Sequence, residues 1–264
     1  MHVQRGPIAC FSRKEVKALT SVIMNIAQPA RRIGIIGDVH AEDTRLRLAI
    51  DILKAEGVCN ILCTGDLVDG RGCPEATIDL LRNNDIQTVR GNHDRWLLQE
   101  KARHVPNAHF AASMSEDSLD YLRNLPRQVV VQTIKGPLLL CHGVGKNDLR
   151  KVWPGTERMA PETSPELDQL IEGGAFRWVI NGHMHFQTLI RFESLTLING
   201  GSLAGKRWPG FSILDLEHEK IDTFGFAGSE VFVGKTTHIG DHTPGWRNTQ
   251  CFSGGWKPVL LFDL

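Results

Sequence analysis

The sequence lacks any apolar run close to the roughly 18 residues that a membrane-spanning helix requires, so it does not predict a membrane protein. It also lacks net charge, because 30 lysine and arginine residues balance 30 aspartate and glutamate residues. A nucleic-acid-binding protein needs a basic surface to meet the phosphates, and this balance gives no support for such a partner. With 41% hydrophobic and 23% charged residues, the composition is that of an ordinary soluble globular protein.

The cysteines lack both the Cys-x-x-Cys spacing and the density of a small disulfide-bonded domain. Several lie in apolar stretches such as CNILCTGD and LLLCHG, which favours buried free thiols over a disulfide or a zinc–cysteine site. Free thiols are typical of a reducing compartment, so we expect a cytoplasmic protein. The six residues are Cys10, Cys59, Cys63, Cys73, Cys141 and Cys251.

The N-terminal end has basic residues ahead of a short apolar stretch, which is a weak similarity to a secretory signal. Asn25 and Gln28 interrupt that stretch, and two arginines follow it. We interpret residues 1–23 as an N-terminal extension and residues 24–264 as a single domain, because no linker, repeat or low-complexity tract divides the latter. The sequence does not indicate an oligomeric state.

The N-terminal half alternates short apolar strands with amphipathic helices. A β-branched run predicts a strand near residues 32–37, and two further strands are predicted within 58–66 and 86–94. Pro74 opens a helix between the last two strands. The helix after the first strand is predicted from apolar residues at helical spacing, namely Leu46, Ala49, Ile50 and Leu53. This βαβαβ pattern is typical of a mainly parallel sheet.

The second half is predicted to return to strands after a helical middle. Residues 95–127 are interpreted as helical, with Ser115 as the N-cap of the second helix. From residue 128 onwards, apolar stretches predict a second sheet packed on the first; they are QVVVQTI, PLLLCHG, FRWVINGHMH, TLIRFESLTLING and GFSILDLE. Residues 225–264 hold many glycines and end in KPVLLFDL, which we interpret as a closing strand. The predicted fold class is therefore α/β, with two packed sheets and flanking helices.

Polar residues of a few types recur where the predicted strands end. The motifs are GDVH, GDLVDG, GNHD, CHG and GHMH. The carboxyl ends of the strands are where an α/β sheet leaves a crevice for ligands. Residues i and i+2 of an extended chain project to the same side, so Asp38 with His40, and His183 with His185, are each expected to present two ligands to one point. A single motif of this kind is typical of an ordinary turn or helix start, but five in this order favour a functional site.

Carboxylates, an amide oxygen and imidazoles without thiolate suit divalent transition ions such as manganese, iron, zinc or nickel. Seven such ligands are too many for one ion that must also accept a substrate. They suit two ions about 3.5–4 Å apart, bridged by one carboxylate and a water, and Asp66 is the expected bridge. The seven are Asp38, His40, Asp66, Asn92, His142, His183 and His185. The six other histidines, His109 among them, are expected to be structural or exposed.

The order of these motifs, from about residue 32 to residue 216, resembles the calcineurin-like metallophosphoesterase superfamily. The resemblance implies a four-layer sandwich of two mixed sheets flanked by helices, and a hydrolase in which a metal-bridging hydroxide attacks a phosphoester. His93 resembles the general acid that protonates the leaving oxygen, and Asp69 is implied to orient His93. One ion is implied on Asp38, His40, Asp66 and His185. The other is implied on Asp66, Asn92, His142 and His183.

Two features depart from the family pattern. Ala41 follows His40 where glycine is usual, and VDGRG replaces the VDRG of the phosphoprotein phosphatases, which displaces Arg71 by one position. The final GHMH is more similar to small phosphodiesterase-like members of the family.

We therefore expect two metal ions, with manganese as the first choice, and a small soluble phosphomonoester or phosphodiester as substrate. Nothing in the sequence indicates a peptide groove or a basic track for nucleic acid. A phosphoprotein phosphatase or a dinucleoside polyphosphate hydrolase is the alternative within the enzyme class. A non-catalytic scaffold with the same fold would be expected to have lost ligands or the acid histidine, and all of them are present here.

Overall fold

Two six-stranded β-sheets form the centre of the protein in a computed structural model, which describes residues 28–156, 159–205, 207–239, 245–252 and 259–261. The predicted extension over residues 1–23 and its boundary lie outside the described residues. The interpretation of residues 24–264 as a single domain stays a prediction.

The strands and helices are as follows in chain order. The strands are β1 (Arg32–Ile36), β2 (Asn60–Cys63), β3 (Gln87–Thr88), β4 (Gln128–Thr133), β5 (Gly136–Cys141), β6 (Trp178–Asn181), β7 (Gln187–Arg191), β8 (Thr196–Gly200), β9 (Gly210–Asp215), β10 (Lys220–Ala227), β11 (Glu230–His238) and β12 (Val259–Leu261). The α-helices are α1 (Asp43–Ala55), α2 (Pro74–Asn83), α3 (Asn92–Leu98), α4 (Glu116–Asn124) and α5 (Pro165–Gly173). Two short 3₁₀ helices cover Ala111–Ser113 and Thr249–Cys251.

The first sheet has the strand order β11-β10-β9-β1-β2-β3. Strands β1, β2 and β3 are parallel, as predicted, but β9 pairs antiparallel with β1, with Ile35 opposite Ser212. The sheet as a whole is therefore mixed, and the assignment of GFSILDLE to the second sheet is wrong. Every residue of β9 is buried. Such a run fits the interior of either sheet, so its sequence does not indicate which one it joins.

The second sheet has the order β12-β7-β8-β6-β5-β4 and is also mixed. Strands β5, β6 and β8 run parallel, while β4, β7 and β12 pair antiparallel with their neighbours. The stretch TLIRFESLTLING forms a hairpin of β7 and β8. The closing strand predicted within KPVLLFDL is present as β12.

Apolar side chains fill three layers between the sheets and helices. One buried cluster joins the facing sides of the two sheets, with Ile33 and Ile35 from the first and Leu140 and Ile180 from the second. A second cluster lies between the outer face of the first sheet and α1, α2 and α4, and a third lies between the second sheet and α5. This order of helices, sheet, sheet and helix confirms the predicted four-layer α/β sandwich.

The helix predictions are right where the apolar spacing is regular. The buried residues of α1 are the predicted ones, namely Leu46, Ala49, Ile50 and Leu53. Ser115 caps α4, since its Oγ accepts the backbone N–H of Ser118 at 3.2 Å. The helical interpretation of 95–127 is wrong between α3 and α4, where Glu100, Ala102 and Asn107 take left-handed backbone angles that end a helix.

One helix and one β-hairpin have no counterpart in the sequence interpretation. Helix α5 begins after Ser164, whose Oγ accepts the N–H of Leu167, and has proline at its first position. The hairpin of β10 and β11 extends the first sheet, and most residues of β11 are exposed or half-buried. Because neither face of this edge strand is fully buried, its sequence does not show the alternation of apolar and polar residues that predicts a strand.

The described cysteines are all free, but only Cys63 and Cys141 are buried. Burial raises the pKa of the Cys141 thiol to about 12. The expectation of burial is wrong for Cys59, Cys73 and Cys251, which are exposed; Cys59 precedes the first residue of β2, where the strand has not yet entered the core. Cys10 lies outside the described residues. None of the described helices combines the length and apolar composition needed to cross a membrane.

Replacing Leu53 with alanine tests the packing of α1 against the first sheet. Leu53 is fully buried, so Leu53→Ala is expected to lower the free energy of unfolding by about 2–5 kcal/mol. Leu48→Ala is the matched control, because Leu48 lies on the same helix and is only half-buried. Urea unfolding of both variants should show the smaller loss for Leu48→Ala; equal losses would mean that α1 does not pack as described.

Candidate metal centre

All nine predicted site residues lie at one end of the two sheets. Five turns bring them there, and each directly follows a strand: β1, β2 and β3 in the first sheet, and β5 and β6 in the second. These are the carboxyl ends of strands that run parallel within each sheet. The site therefore lies across the junction of the two sheets, as the strand-end motifs predict.

The turns are tight, and left-handed backbone angles aim several of the side chains. His40, Asp66, His183 and His185 have φ between 48° and 67°. The extended chain assumed for both expected pairs is therefore wrong. Asp38 and His40 still lie in one group of ligand atoms, but His183 and His185 do not form such a pair, because His185 lies against Asp38 and the His183 ring lies beside that of His142. Ala41 also has a positive φ of 56°, which explains why a glycine is usual at that position.

Asp38, His40, Asp66 and His185 form the first group. One ligand atom from each lies within 4.8 Å of the others. The Nδ1–H of His40 donates to the carbonyl oxygens of Val68 (3.2 Å) and Asp69 (3.0 Å), which leaves the Nε2 lone pair directed into the group. The Nε2 atoms of His40 and His185 lie 3.2 Å apart, and that of His185 lies 3.1 Å from Asp38 Oδ2.

His142 organises the second group. Its Nδ1–H donates to the carbonyl oxygen of Thr64 at 2.8 Å, so that its Nε2 is directed at two oxygens. These are Asn92 Oδ1 at 2.9 Å and Asp66 Oδ2 at 3.3 Å. The ring of His183 lies beside that of His142, with 5.4 Å between the centroids.

Asp66 belongs to both groups. Its Oδ2 lies 3.9 Å from His40 Nε2 and 3.3 Å from His142 Nε2. Its Oδ1 accepts the backbone N–H of His93 at 2.8 Å, which fixes the plane of the carboxylate. The side chain is 1% exposed.

Charges within the site lower the pKa values of the two aspartates and raise that of His142, while they lower that of His183. Burial opposes ionisation of Asp38 and Asp66, but the neighbouring imidazoles, His142 foremost, lower both pKa values. Burial also opposes a charge on His142, but Asp66 and Asp38 raise its pKa to about 10. For His183, burial and the charge of His142 lower the pKa to about 4. The two buried carboxylates thus favour a positive charge between them.

A divalent cation fits these residues. The donor set is two carboxylates, one amide oxygen and four imidazoles, and the ring tautomers of His40 and His142 are fixed by backbone carbonyl oxygens so that Nε2 is available. Two imidazole nitrogens at 3.2 Å are stabilised when a cation lies between them, and a buried carboxylate pair needs positive charge.

His93 and Asp69 lie beside the first group. The Nδ1–H of His93 donates to Asp69 Oδ2 at 2.7 Å, and the His93 ring meets that of His40 edge to face at 4.9 Å. Burial opposes the charged form of His93, but the hydrogen bond to Asp69 and the charge of Asp66 together raise its pKa. The predicted pairing of Asp69 with His93 is therefore present.

Sequence reasoning missed several residues that support the site. Arg103 and His109 both contact Asp69. Asp94 accepts the backbone N–H groups of Leu67 (2.7 Å) and Gly91 (2.9 Å), which ties the turn after β2 to the start of α3. The acidic residue three positions after Gly91 was a readable signal, since an acid at that point of a helix caps its first N–H groups. Arg103 lies in an irregular segment and has no such signal.

An open cleft of about 640 Å³ borders the first group. His40, His93 and His185 line its floor, and residues of α1 and of the surrounding loops line its walls. The wall residues include Arg45, Arg71, Val105, Pro106, Asn107 and Gly205. A small substrate can therefore reach the histidines from solvent.

Known proteins match this chain in sequence and in fold. A family model described as a calcineurin-like phosphoesterase superfamily domain matches residues 32–219, more than half of the chain. The chain is 25% identical over 179 residues to the uncharacterized protein MJ0912 of Methanocaldococcus jannaschii, a match that covers 65% of this chain and 69% of the relative.

Two crystal structures have a similar fold. One is a metallophosphoesterase from Sphaerobacter thermophilus, with a TM-score of 0.51 and 23% identity over 70% of this chain and 84% of that chain. The other is the hypothetical protein PH1004 from Pyrococcus horikoshii OT3, with a TM-score of 0.59 and 15% identity over 74% of this chain and 87% of that chain. These likenesses confirm the fold.

Gly91→Ala tests the close approach that places Asp66. A Cβ at residue 91 would lie 2.1 Å from Asp66 Oδ1 and 2.4 Å from the Asp66 backbone nitrogen, so the carboxylate must move. We expect Gly91→Ala to lose most of its bound divalent metal, measured by mass spectrometry after dialysis. Gly173→Ala is the matched control, because a Cβ there meets nothing within 4 Å, and it should keep its metal. Equal metal content in both variants would contradict the described packing.

Proposed function

The chain belongs to the calcineurin-like phosphoesterase superfamily, and on that premise we propose that it is a binuclear metal-dependent phosphoesterase. The substrate is a small soluble phosphomonoester or phosphodiester. The superfamily uses divalent metals, and manganese is our first choice, with iron, zinc and nickel as alternatives.

The position of Asp66 is the observation that carries the binuclear part of the proposal. Its Oδ2 lies 3.9 Å from the Nε2 atom of His40 and 3.3 Å from that of His142, and the two imidazoles belong to separate groups of ligand atoms. A carboxylate that can bind both ions would hold them a few ångströms apart, as a two-metal site requires. The first ion is assigned to Asp38, His40, Asp66 and His185. The second is assigned to Asp66, Asn92, His142 and His183.

The bound ions would supply Lewis-acid chemistry, activating a water as nucleophile and stabilising charge on the phosphoryl oxygens. The protein groups around them do the remaining work. Asp38 is held by Thr64 Oγ1–H (2.8 Å) and by the backbone N–H of His183 (2.8 Å), so its oxygens keep a fixed direction.

His93 is proposed to donate the proton that the leaving oxygen needs. Its Nδ1–H is held by Asp69, and the ring lines the cleft, which leaves Nε2 for the substrate. The raised pKa of His93 favours the protonated ring that a general acid must be before it acts. Asp69 is proposed to orient the ring and to stabilise its charge.

The cleft supports a small substrate. Arg71 lines it and makes no hydrogen bond or ion pair with any part of the chain that the structure describes, so its charge is available to an anionic group. The phosphoprotein phosphatase and dinucleoside polyphosphate hydrolase alternatives are distinguished by a substrate panel of monoesters, diesters, dinucleotides and phosphopeptides. Hydrolysis of p-nitrophenyl or bis-p-nitrophenyl phosphate that depends on added metal would separate all of these from a non-catalytic scaffold.

The metal prediction concerns Asp66. Exhaustive chelation is expected to abolish hydrolysis, and Asp66→Asn is expected to lower the metal content more than Asp38→Asn or His185→Ala, because it weakens both sites at once. Metal per chain is measured for each purified variant, with Asp51→Asn on the exposed face of α1 as the control. Hydrolysis that survives chelation would overturn the metal mechanism. A larger metal loss in Asp38→Asn or His185→Ala would show that Asp66 is not the bridge.

The acid prediction concerns His93. General acid catalysis contributes about 10²–10⁴-fold, and its benefit grows with the basicity of the leaving oxygen. His93→Ala is therefore expected to keep its metal, to lose little rate on nitrophenyl esters and to lose far more on alkyl or sugar phosphoesters. Asp69→Asn should show a milder form of the same selectivity, because the ring remains.

The rate is measured against the pKa of the leaving group for the wild type and each variant. His104→Ala, an exposed histidine of the segment between α3 and α4, is the control and should follow the wild-type line. A loss of equal size on every substrate would mean that His93 binds the phosphoryl group and donates no proton.

A further inference from the structure

The segment between α3 and the first 3₁₀ helix contacts the site at Asp69, through the side chain of Arg103 and through His109. The guanidinium of Arg103 donates to Asp69 through both terminal nitrogens, with Nη1 2.8 Å from Oδ1 and Nη2 2.9 Å from Oδ2. The two side chains are 11% and 1% exposed, so this ion pair is withdrawn from water. No step of the proposed reaction so far uses Arg103.

The carboxylate of Asp69 accepts four hydrogen bonds, and three of them come from this segment. Besides the two from Arg103, the backbone N–H of His109 donates to Oδ1 at 2.9 Å. The fourth comes from His93 Nδ1–H to Oδ2. The oxygen that holds His93 is thus also the oxygen that Arg103 Nη2 holds.

The planar guanidinium fixes more than the position of the carboxylate. Two parallel N–H···O bonds define the plane of the carboxylate as well as its distance, which a single lysine ammonium cannot do. Asp69 also has a left-handed backbone, with φ of 66°, and its N–H donates to His109 Nδ1 at 3.0 Å. Asp69 lies in the GDLVDG motif, but Arg103 and His109, which lie outside that motif, fix the orientation of its carboxylate. They therefore also fix the direction of the Oδ2 lone pair that accepts the Nδ1–H of His93.

We propose that Arg103 is the positioning residue of the general acid: it holds the Asp69 carboxylate in the plane that directs Oδ2 at His93 Nδ1 and so directs His93 Nε2 at the leaving oxygen. This inference rests on the proposed function of His93. It adds a residue that neither the strand-end motifs nor the family pattern contains.

The same segment forms a wall of the cleft. Val105 and Pro106 line it a few residues after Arg103, and the guanidinium also donates to the carbonyl oxygens of Lys101 (2.8 Å) and His109 (2.5 Å). This wall of the cleft is consequently linked to His93, the proposed general acid, through Arg103 and Asp69.

The first test reads the orientation of His93 without metal or substrate. Nitrogen-15 NMR of histidine-labelled, metal-free protein reports the Nδ1–H of His93, identified as the signal that disappears in His93→Gln. In Arg103→Ala, this signal is expected to shift or to broaden into exchange with water, while the signals of His142 and His218 stay in place. An unchanged His93 signal would overturn the proposal.

The second test is kinetic. Arg103→Ala is expected to lose about 10- to 100-fold in kcat on alkyl phosphoesters and to be nearly unchanged on p-nitrophenyl esters, because misplacing a catalytic group costs rate only where that group acts. Added guanidinium ion should restore part of the alkyl rate. Arg103→Lys, which keeps the charge but not the fork, should lie between wild type and Arg103→Ala, and it serves if the alanine variant does not fold.

Arg150→Ala is the matched control, because it removes another arginine–carboxylate pair, that of Arg150 with Glu166 at 2.8 Å, which does not contact His93. It should follow the wild-type dependence on the leaving group. An equal loss on both substrate types in Arg103→Ala, or a lysine variant with full alkyl activity, would overturn the positioning role. If the wild type shows no metal-dependent hydrolysis, the proposed function fails, and the NMR result still decides whether Arg103 orients His93.

Discussion

The burial of two ionised carboxylates, Asp38 and Asp66, is the constraint on which the rest of this end of the protein depends. Their side chains are 0% and 1% exposed. Removing a charge from water costs several kcal/mol unless donors and opposite charges replace the lost hydration. The surrounding donors do so: Thr64 Oγ1–H and the N–H of His183 serve Asp38, and the N–H of His93 serves Asp66. A divalent cation completes the same compensation, which is why we regard this arrangement as a metal site.

Because these two carboxylates are buried, the turns that follow the strands must pack closely around them. Backbone N–H groups can reach a buried carboxylate only where the chains approach without side chains between them. A Cβ at Gly182 would lie 2.0 Å from Asp38 Oδ1, as one at Gly91 would from Asp66 at 2.1 Å. Glycine is thus required at positions 91 and 182 by the carboxylates beside them. The two sheets, packed through their facing apolar sides, hold these turns at a fixed separation.

Sequence reasoning succeeded where a local pattern reflects a local cause. The spacing of Leu46 and Leu53 predicts the buried face of α1, and the strand-end motifs predict which side chains meet. It failed where the cause is distant along the chain. A fully buried strand such as β9 does not encode its neighbour, and Arg103 reaches Asp69 across 34 positions from a segment without periodicity. The left-handed angles of His183 and His185 are likewise set by the packing of the turn, and no residue type in the motif predicts them.

We propose that the two groups of ligands act as one centre through Asp66. Titration of metal-free protein with Mn²⁺ tests it most directly, when the ions bound per chain and the rate of bis-p-nitrophenyl phosphate hydrolysis are recorded at each step. If Asp66 joins the two groups, binding saturates at two ions per chain and hydrolysis rises with occupancy of the second site. Saturation at one ion with full activity, or hydrolysis at the full rate before any ion is added, would contradict it.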